Sequence, residues 1–210
     1  YEESELVALQ HESGVVSLDY IVLILIAAIL ATLGLVLNSN AVIIGAMLVA
    51  PLMAPLIAFS TGMAIGELDL VRKAIIALFI GILLALGVSY LGGLISNTTI
   101  VTSEMAGRGN PTFLDLAVAL ASGVIGAYAA GRKSISSAAA GVAIAAALMP
   151  PLCTVGLAYA FGDPALSRGA FILFLTNIIS IILAATITFF WLGLRSYETD
   201  ERSTRERRRT

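Results

Sequence analysis

Two runs in this chain have the residue types and spacing to offer a binding site. The first reads Met47-Leu-Val-Ala-Pro51-Leu-Met53-Ala-Pro55-Leu, the second Ala145-Ala-Ala-Leu-Met149-Pro150-Pro151-Leu-Cys-Thr154. Proline has no N–H, clashes with the carbonyl four residues earlier, and pushes the residue before it out of helical geometry. Pro51 and Pro55 would free the carbonyls of Met47 and Pro51; Pro150 and Pro151 would free those of Ala146 and Ala147. A free carbonyl in hydrocarbon is costly, so it must find a partner in protein or line a wet cavity. The chemistry on offer is coordination of a solute by backbone oxygens and by half-helix ends, whose N-termini favour anions. For either run alone, an ordinary proline kink is the plainer alternative.

Around these runs, Met53, Pro55, Met149, Pro150, Pro151 and Thr154 are the candidate substrate-binding residues, with Ser60 and Asn177 as polar additions. Asn177 reads as interhelical glue, or as a solute ligand or a partner for a freed carbonyl. No catalytic, metal or cofactor site is expected. Cys153 is the one cysteine and His11 the one histidine, and there is no P-loop, His-x-x-x-His pair, Cys-x-x-Cys or dinucleotide fingerprint. No acid or base lies in mid-span, where ion pumps often place a carboxylate. The chain is not read as an enzyme.

The elements that must hold these residues are set by hydropathy. Of 210 residues 59% are hydrophobic and 12% charged, about half the charge of a soluble domain. Charge-free runs cover Tyr20–Gly66, Ala74–Ser103, Leu116–Gly131, Ser134–Gly162 and Gly169–Leu194. A spanning helix needs about 20 apolar residues. The expected class is therefore an all-α polytopic membrane protein with six spans at 19–37, 41–65, 70–95, 113–131, 136–160 and 169–192. Asn38-Ser39-Asn40 makes a turn that can cap the second span. A leader covers 1–18, the first three spans 19–95, a loop 96–112, the last three spans 113–194, and a charged tail 195–210.

Six spans put both ends on one side. That side holds ten basic residues, Arg72, Lys73, Arg132, Lys133, Arg195 and five tail arginines; the other holds Arg108 and Arg168. Positive residues near span ends favour the cytoplasm, so both termini are expected there. The acids sit at span ends. Asp19 and Asp115 read as N-terminal helix caps or as gating groups, and Glu67 with Arg72 and Asp163 with Arg168 as pairs across turns. Asn38, Asn40 and these six form a structural or gating set.

The two proline runs are copies of one pattern. At an offset of 96 residues Asp19 matches Asp115, Gly45 Gly141, Met53 Met149, Pro55 Pro151 and Leu56 Leu152; Gly66 matches Gly162, Glu67 Asp163, Leu70 Leu166 and Arg72 Arg168. Three spans per copy invert the second copy, giving a 3+3 inverted repeat with proline-broken second and fifth helices, an arrangement that recurs in secondary transporters. Small residues four apart (Gly62 and Gly66; Gly123, Ala127 and Gly131) let backbones approach closely, so the fourth span is expected to be buried in the bundle or in the interface of a homodimer.

The run from Asn38 to Met47, the Ala50-Pro51-Leu-Met-Ala-Pro55-Leu motif and Ala147-Leu-Met149-Pro150-Pro151-Leu together resemble the uncharacterised hydrophobic membrane domain called "domain of unknown function 389", over about residues 18–194. The resemblance implies a prokaryotic-type multispan protein, often carrying a separate soluble domain, with which a chain beginning at Tyr1 is consistent. It supplies no substrate and no active site. The expected function is a transporter or permeation pathway for a small solute or ion, with a central site between the two proline runs. The alternative is a membrane scaffold or sensor that relays to a cytoplasmic domain. The expected partners are membrane lipid, a second copy and an attached soluble domain; nucleic acid is not expected. The localisation is a cell inner or plasma membrane.

Overall fold

A computed structural model describes residues 16–96, 98–131 and 137–193. His11, Asn97, Arg132, Lys133, Arg195 and the charged tail lie outside the described residues. The described chain is all helix and connection: α1 (Leu18–Val36), α2 (Asn40–Val49), α3 (Met53–Ile65), α4 (Leu68–Ile95), α5 (Ser103–Ala106), α6 (Phe113–Ala130), α7 (Ser137–Ala160) and α8 (Pro164–Trp191). Five of these are long and apolar enough to cross a membrane, and α2 with α3, bent by 52° between them, pass the same test together, which gives five spans or, with the bent pair as one, six. Their outward faces are apolar: Leu48, Phe79, Ile179 and Ile187 are all exposed. Phe113 and Trp191 stand exposed at helix ends, where aromatic rings suit the headgroup level. This is a multi-pass α-helical membrane protein.

The break between α2 and α3 follows from one proline. Ala50 takes an extended conformation, φ −69° and ψ 118°, which is where the residue before a proline is driven. Pro55 then falls at the third position of α3, and a helix's first N–H groups have no intrahelical acceptor, so its missing donor does no harm there. Only Pro51 breaks the span.

The expected break in the fifth span is not there. Pro150 and Pro151 lie inside a continuous helix, α7. One of the two carbonyls the prolines free is served from outside the helix: the Asn177 side-chain Nδ2 in α8 donates to the Ala147 carbonyl at 2.7 Å. Ala147 is the acceptor that Pro151 cannot serve. Helix α7 is also held from all sides, packing against α1, α2, α3, α4, α6 and α8. Of its spanning stretch 72% is buried, against at most 44% in the other long helices.

The turns that join the second and third spans and the fifth and sixth share one geometry. Gly66 and Gly162 both adopt positive φ, 79° and 73°, a left-handed ending that glycine tolerates. Glu67 and Asp163 follow with nearly the same backbone angles, φ −91° and ψ 95° against φ −103° and ψ 87°. The hydrogen bonds match too: Glu67 N–H to the Gly62 carbonyl and Asp163 N–H to the Ala158 carbonyl, both 2.9 Å.

Helix caps depart from expectation in detail. The caps proper are Ser17, whose Oγ accepts from Tyr20 N–H at 3.0 Å, and Thr112. Asp19 sits exposed in the first turn of α1. Asp115 completes a reciprocal capping box, accepting from Thr112 N–H at 2.8 Å and from its hydroxyl at 2.6 Å. Asp163 caps α8 through Leu166 N–H at 3.0 Å. The small-residue face of α6 is used within the chain: Ala127 is fully buried, and a Cβ on Gly123 would overlap the backbone of Ile181 in α8.

Candidate functional site

One end of the bundle is assembled around the connection between α4 and α6. Thr102 caps α5 by accepting from Met105 N–H, and its own hydroxyl donates to the Leu35 carbonyl at 2.8 Å. Asn38, at φ 53°, turns its amide oxygen to accept from Ser103 Oγ at 2.9 Å and from Glu104 N–H at 3.1 Å. Asparagine is among the few side chains that accept this backbone region. Met105, within α5, is fully buried. Asn40 is exposed at the start of α2, and no side-chain cap bond closes that helix.

Beneath this segment lies a cavity of about 330 Å³, lined by residues of α5 and its flank (Ser103, Glu104, Gly107, Arg108), of α6 (Asp115, Val118), of α7 (Ala146, Ala147, Pro151) and of α8 (Leu173, Asn177). Charge sits at its outer end. Arg108 Nη1 lies 3.0 Å from Glu104 Oε2, with side chains only 19% and 24% exposed, and also donates to the Glu104 carbonyl. The other wall reaches the prolines. Pro151 lies nine residues before the end of α7, roughly 14 Å along a helix rising 1.5 Å per residue, about half the depth of a hydrocarbon core. Asn177 falls in the middle of α8, 4% exposed, and its Oδ1 has no hydrogen-bond partner. The amide orientation follows from the chemistry, since only its NH2 end can serve the Ala147 carbonyl.

The sequence-derived candidates divide between this cavity and the core. Pro151 and Asn177 line the cavity. Thr154 is fully buried and its hydroxyl donates back to the Pro150 carbonyl at 2.8 Å. Met149 is fully buried, with its Sδ 3.8 Å from Cys153 Sγ, and Pro150 is buried beside it. Met53 faces Gly141 across α3 and α7, its Sδ 3.5 Å from where a Cβ would sit. Pro55 is buried, and Ser60 donates to the Leu56 carbonyl at 2.9 Å and approaches the Ile182 carbonyl at 3.5 Å. Glu67 is half-buried and Arg72 exposed at the opposite end of the bundle, where Lys73 pairs with Asp69 at 2.7 Å. Arg168 borders a second hollow, near Gly109 and Pro111, outside α8. Glu104 and Arg108 were not foreseen as site residues. The available signal is a lone acid–base pair four residues apart in the longest connection.

Residues 47–183 match the family model described as "Domain of unknown function (DUF389)". The chain belongs to this family. All the cavity-lining residues fall within the DUF389 match, while α1 and Asn38 precede it. A relative outside this chain is the uncharacterized protein MJ0678 of Methanocaldococcus jannaschii, 31% identical over 181 residues. That alignment covers 86% of this chain and 56% of MJ0678, so the chain spans about half the length of the curated relative it matches. No solved structure matches it.

Proposed function

We propose that this protein is a transporter or permeation pathway for a small solute, built as a 3+3 inverted repeat with its working cavity between α7, α8 and the α5 segment. The observation that carries the reading is the cavity itself. It brings a charged outer end, a proline-disturbed backbone and a buried side-chain oxygen without a partner into one space at half-depth. A membrane protein keeps disturbed backbone where it lines a wet cavity.

Several features support the repeat. The matched turns at Gly66 and Gly162 are one. Helix pairings are another: α1 with α4 answers α6 with α8, α1 with α2 answers α6 with α7, and α4 with α7 answers α3 with α8. The halves differ at one telling place. The position of Asn177 in the second half corresponds to Gly81 in the first, and there the buried Tyr20 fills the space, its hydroxyl donating to the Ala77 carbonyl at 2.8 Å. In this reading the cavity is open at the α5 end, while its counterpart at the other end is plugged by Tyr20. Two related halves, one open and one closed, are what alternating access requires.

Both termini are placed in the cytoplasm on the charge bias, with the α5 end outside. Cysteines introduced at Gly107 or Asn110 should then label only from outside intact cells, and cysteines at Gly66 or Gly193 only after permeabilisation. Labelling of both sets from one side would defeat the six-span topology. The transport reading is tested with purified protein in sealed liposomes, screened against a panel of inorganic ions and small metabolites. We expect flux of at least one solute that Asn177→Leu reduces about tenfold or more. Tight vesicles throughout the panel would overturn the reading in favour of a scaffold.

A further inference from the structure

Two of the residues that line the cavity, Ala146 and Asn177, carry oxygen acceptors short of donors. Asn177 is 4% exposed, and with its Nδ2 committed to the Ala147 carbonyl, its Oδ1 is left without a donor. The carbonyl of Ala146, a lining residue on α7, cannot receive its usual helical N–H because residue 150 is proline. A neutral carbonyl and an amide oxygen, both short of donors, present negative partial charge to whatever enters.

The outer end agrees in sign. Glu104, Asp115 and Arg108 line it. Arg108 is already engaged twice by Glu104, through its carboxylate and its carbonyl, so its charge is matched. Asp115 accepts only from the neutral N–H and hydroxyl of Thr112, so its negative charge is left over. An anion entering here would meet a surplus carboxylate and then two electron-rich oxygens. A cation meets favourable charge along the whole path. A divalent ion wants several free carboxylates, and no group of three His, Cys, Asp or Glu placed to hold a metal exists among the described residues. Neutral oxygens with one compensating charge suit a single positive charge, as where backbone carbonyls replace an ion's water.

We infer that this cavity is a binding site for a small monovalent cation, either an alkali ion or ammonium, held by Asn177 Oδ1 and the Ala146 carbonyl and drawn in by Asp115. The inference deepens the transport reading and rests on it for the cation's role, as cargo or as coupling ion. The site itself stands or falls by binding.

The experiment measures the thermal unfolding midpoint of the full chain in lipid nanodiscs, in sodium, potassium or ammonium chloride, with N-methylglucamine chloride holding ionic strength constant. At least one small cation should raise the midpoint saturably by several degrees relative to N-methylglucamine. Asp115→Asn, which keeps an acceptor for Thr112, should raise the half-saturating concentration about tenfold, whatever midpoint the altered capping box gives it in N-methylglucamine. Asn177→Leu should abolish the cation-dependent rise whatever its starting midpoint. Equal midpoints in all four salts would overturn the site, as would a rise unchanged in both variants, or one that follows the anion when chloride is replaced. Saturable binding in a protein that moves no solute in liposomes keeps the site and sinks the transport reading. Solute flux without any cation effect on midpoint or flux does the reverse.

Discussion

Asn177→Leu should destabilise the protein by about 2 kcal/mol, and the same change made on top of Pro151→Ala should cost only about 0.5 kcal/mol. Removing the amide leaves the Ala147 carbonyl buried with no donor, because Pro151 has no N–H to offer. Stranding a buried acceptor costs roughly 1–3 kcal/mol. Interhelical hydrogen bonds in membranes often measure less, because the broken partner finds another; here the usual substitute is missing. Pro151→Ala restores it, four residues along the same helix, and the carbonyl no longer depends on α8. The four proteins form a double-mutant cycle, read by reversible unfolding in mixed micelles. A coupling energy near 1.5 kcal/mol is expected. Costs that add to within about 0.5 kcal/mol would mean the two groups do not share this carbonyl.

Gly123→Val is expected to be strongly damaging, at about 3 kcal/mol or more. A Cβ there would overlap the Ile181 carbonyl oxygen and lie 3.0 Å from the Ile181 Cα and 2.9 Å from the Ala184 Cβ. Backbone cannot swing aside as a side-chain tip can, so α6 and α8 must separate along their contact. Overpacking a well-filled interface costs about 1–3 kcal/mol even where neighbours yield. Gly45→Ala and Gly87→Ala are the controls: both sit in helices with nothing within 4 Å of the added methyl, and both should lie within about 1 kcal/mol of the parent. Unfolding midpoints in one lipid and detergent mixture decide it. Gly123→Val no worse than the controls would mean the close approach of α6 and α8 is not present in the membrane.

The spans were legible because their cause is local. Charge-free runs of the right length report burial in lipid directly, and the Ala50-Pro51 pair announces the α2–α3 bend through its own backbone restriction. The continuity of α7 was not legible. Read by itself, Pro150-Pro151 promises the same break as Pro51, yet the helix continues, and one of the carbonyls it frees is taken by an amide 30 residues from Ala147. Only tertiary packing brings the two together. Thr154 illustrates the converse limit: a polar residue one turn past the prolines suggests a lining group, but its hydroxyl is taken by its own helix. The outer end of the cavity was hidden for another reason. Glu104 and Arg108 sit in what reads as an ordinary polar loop, and their importance depends on Asn38 and Thr102 pinning that loop over the bundle.

The rescue of α7 by α8 bears on how the chain is made. Synthesis runs from the N-terminus, so α7 is complete before Asn177 has been added to the growing chain. For that interval the helix carries two proline-orphaned carbonyls and no donor from α8. It is therefore poorly suited to enter lipid alone and should wait at the protein-lined exit of the insertion machinery. The connection from α7 to α8 is only Phe161 to Asp163, so the two helices can pass into the bilayer as a hairpin with the Asn177–Ala147 bond already made. In a ribosome-bound intermediate truncated just before Asn177, α7 should remain crosslinkable to the insertion machinery. Extending the chain through Trp191 should release it.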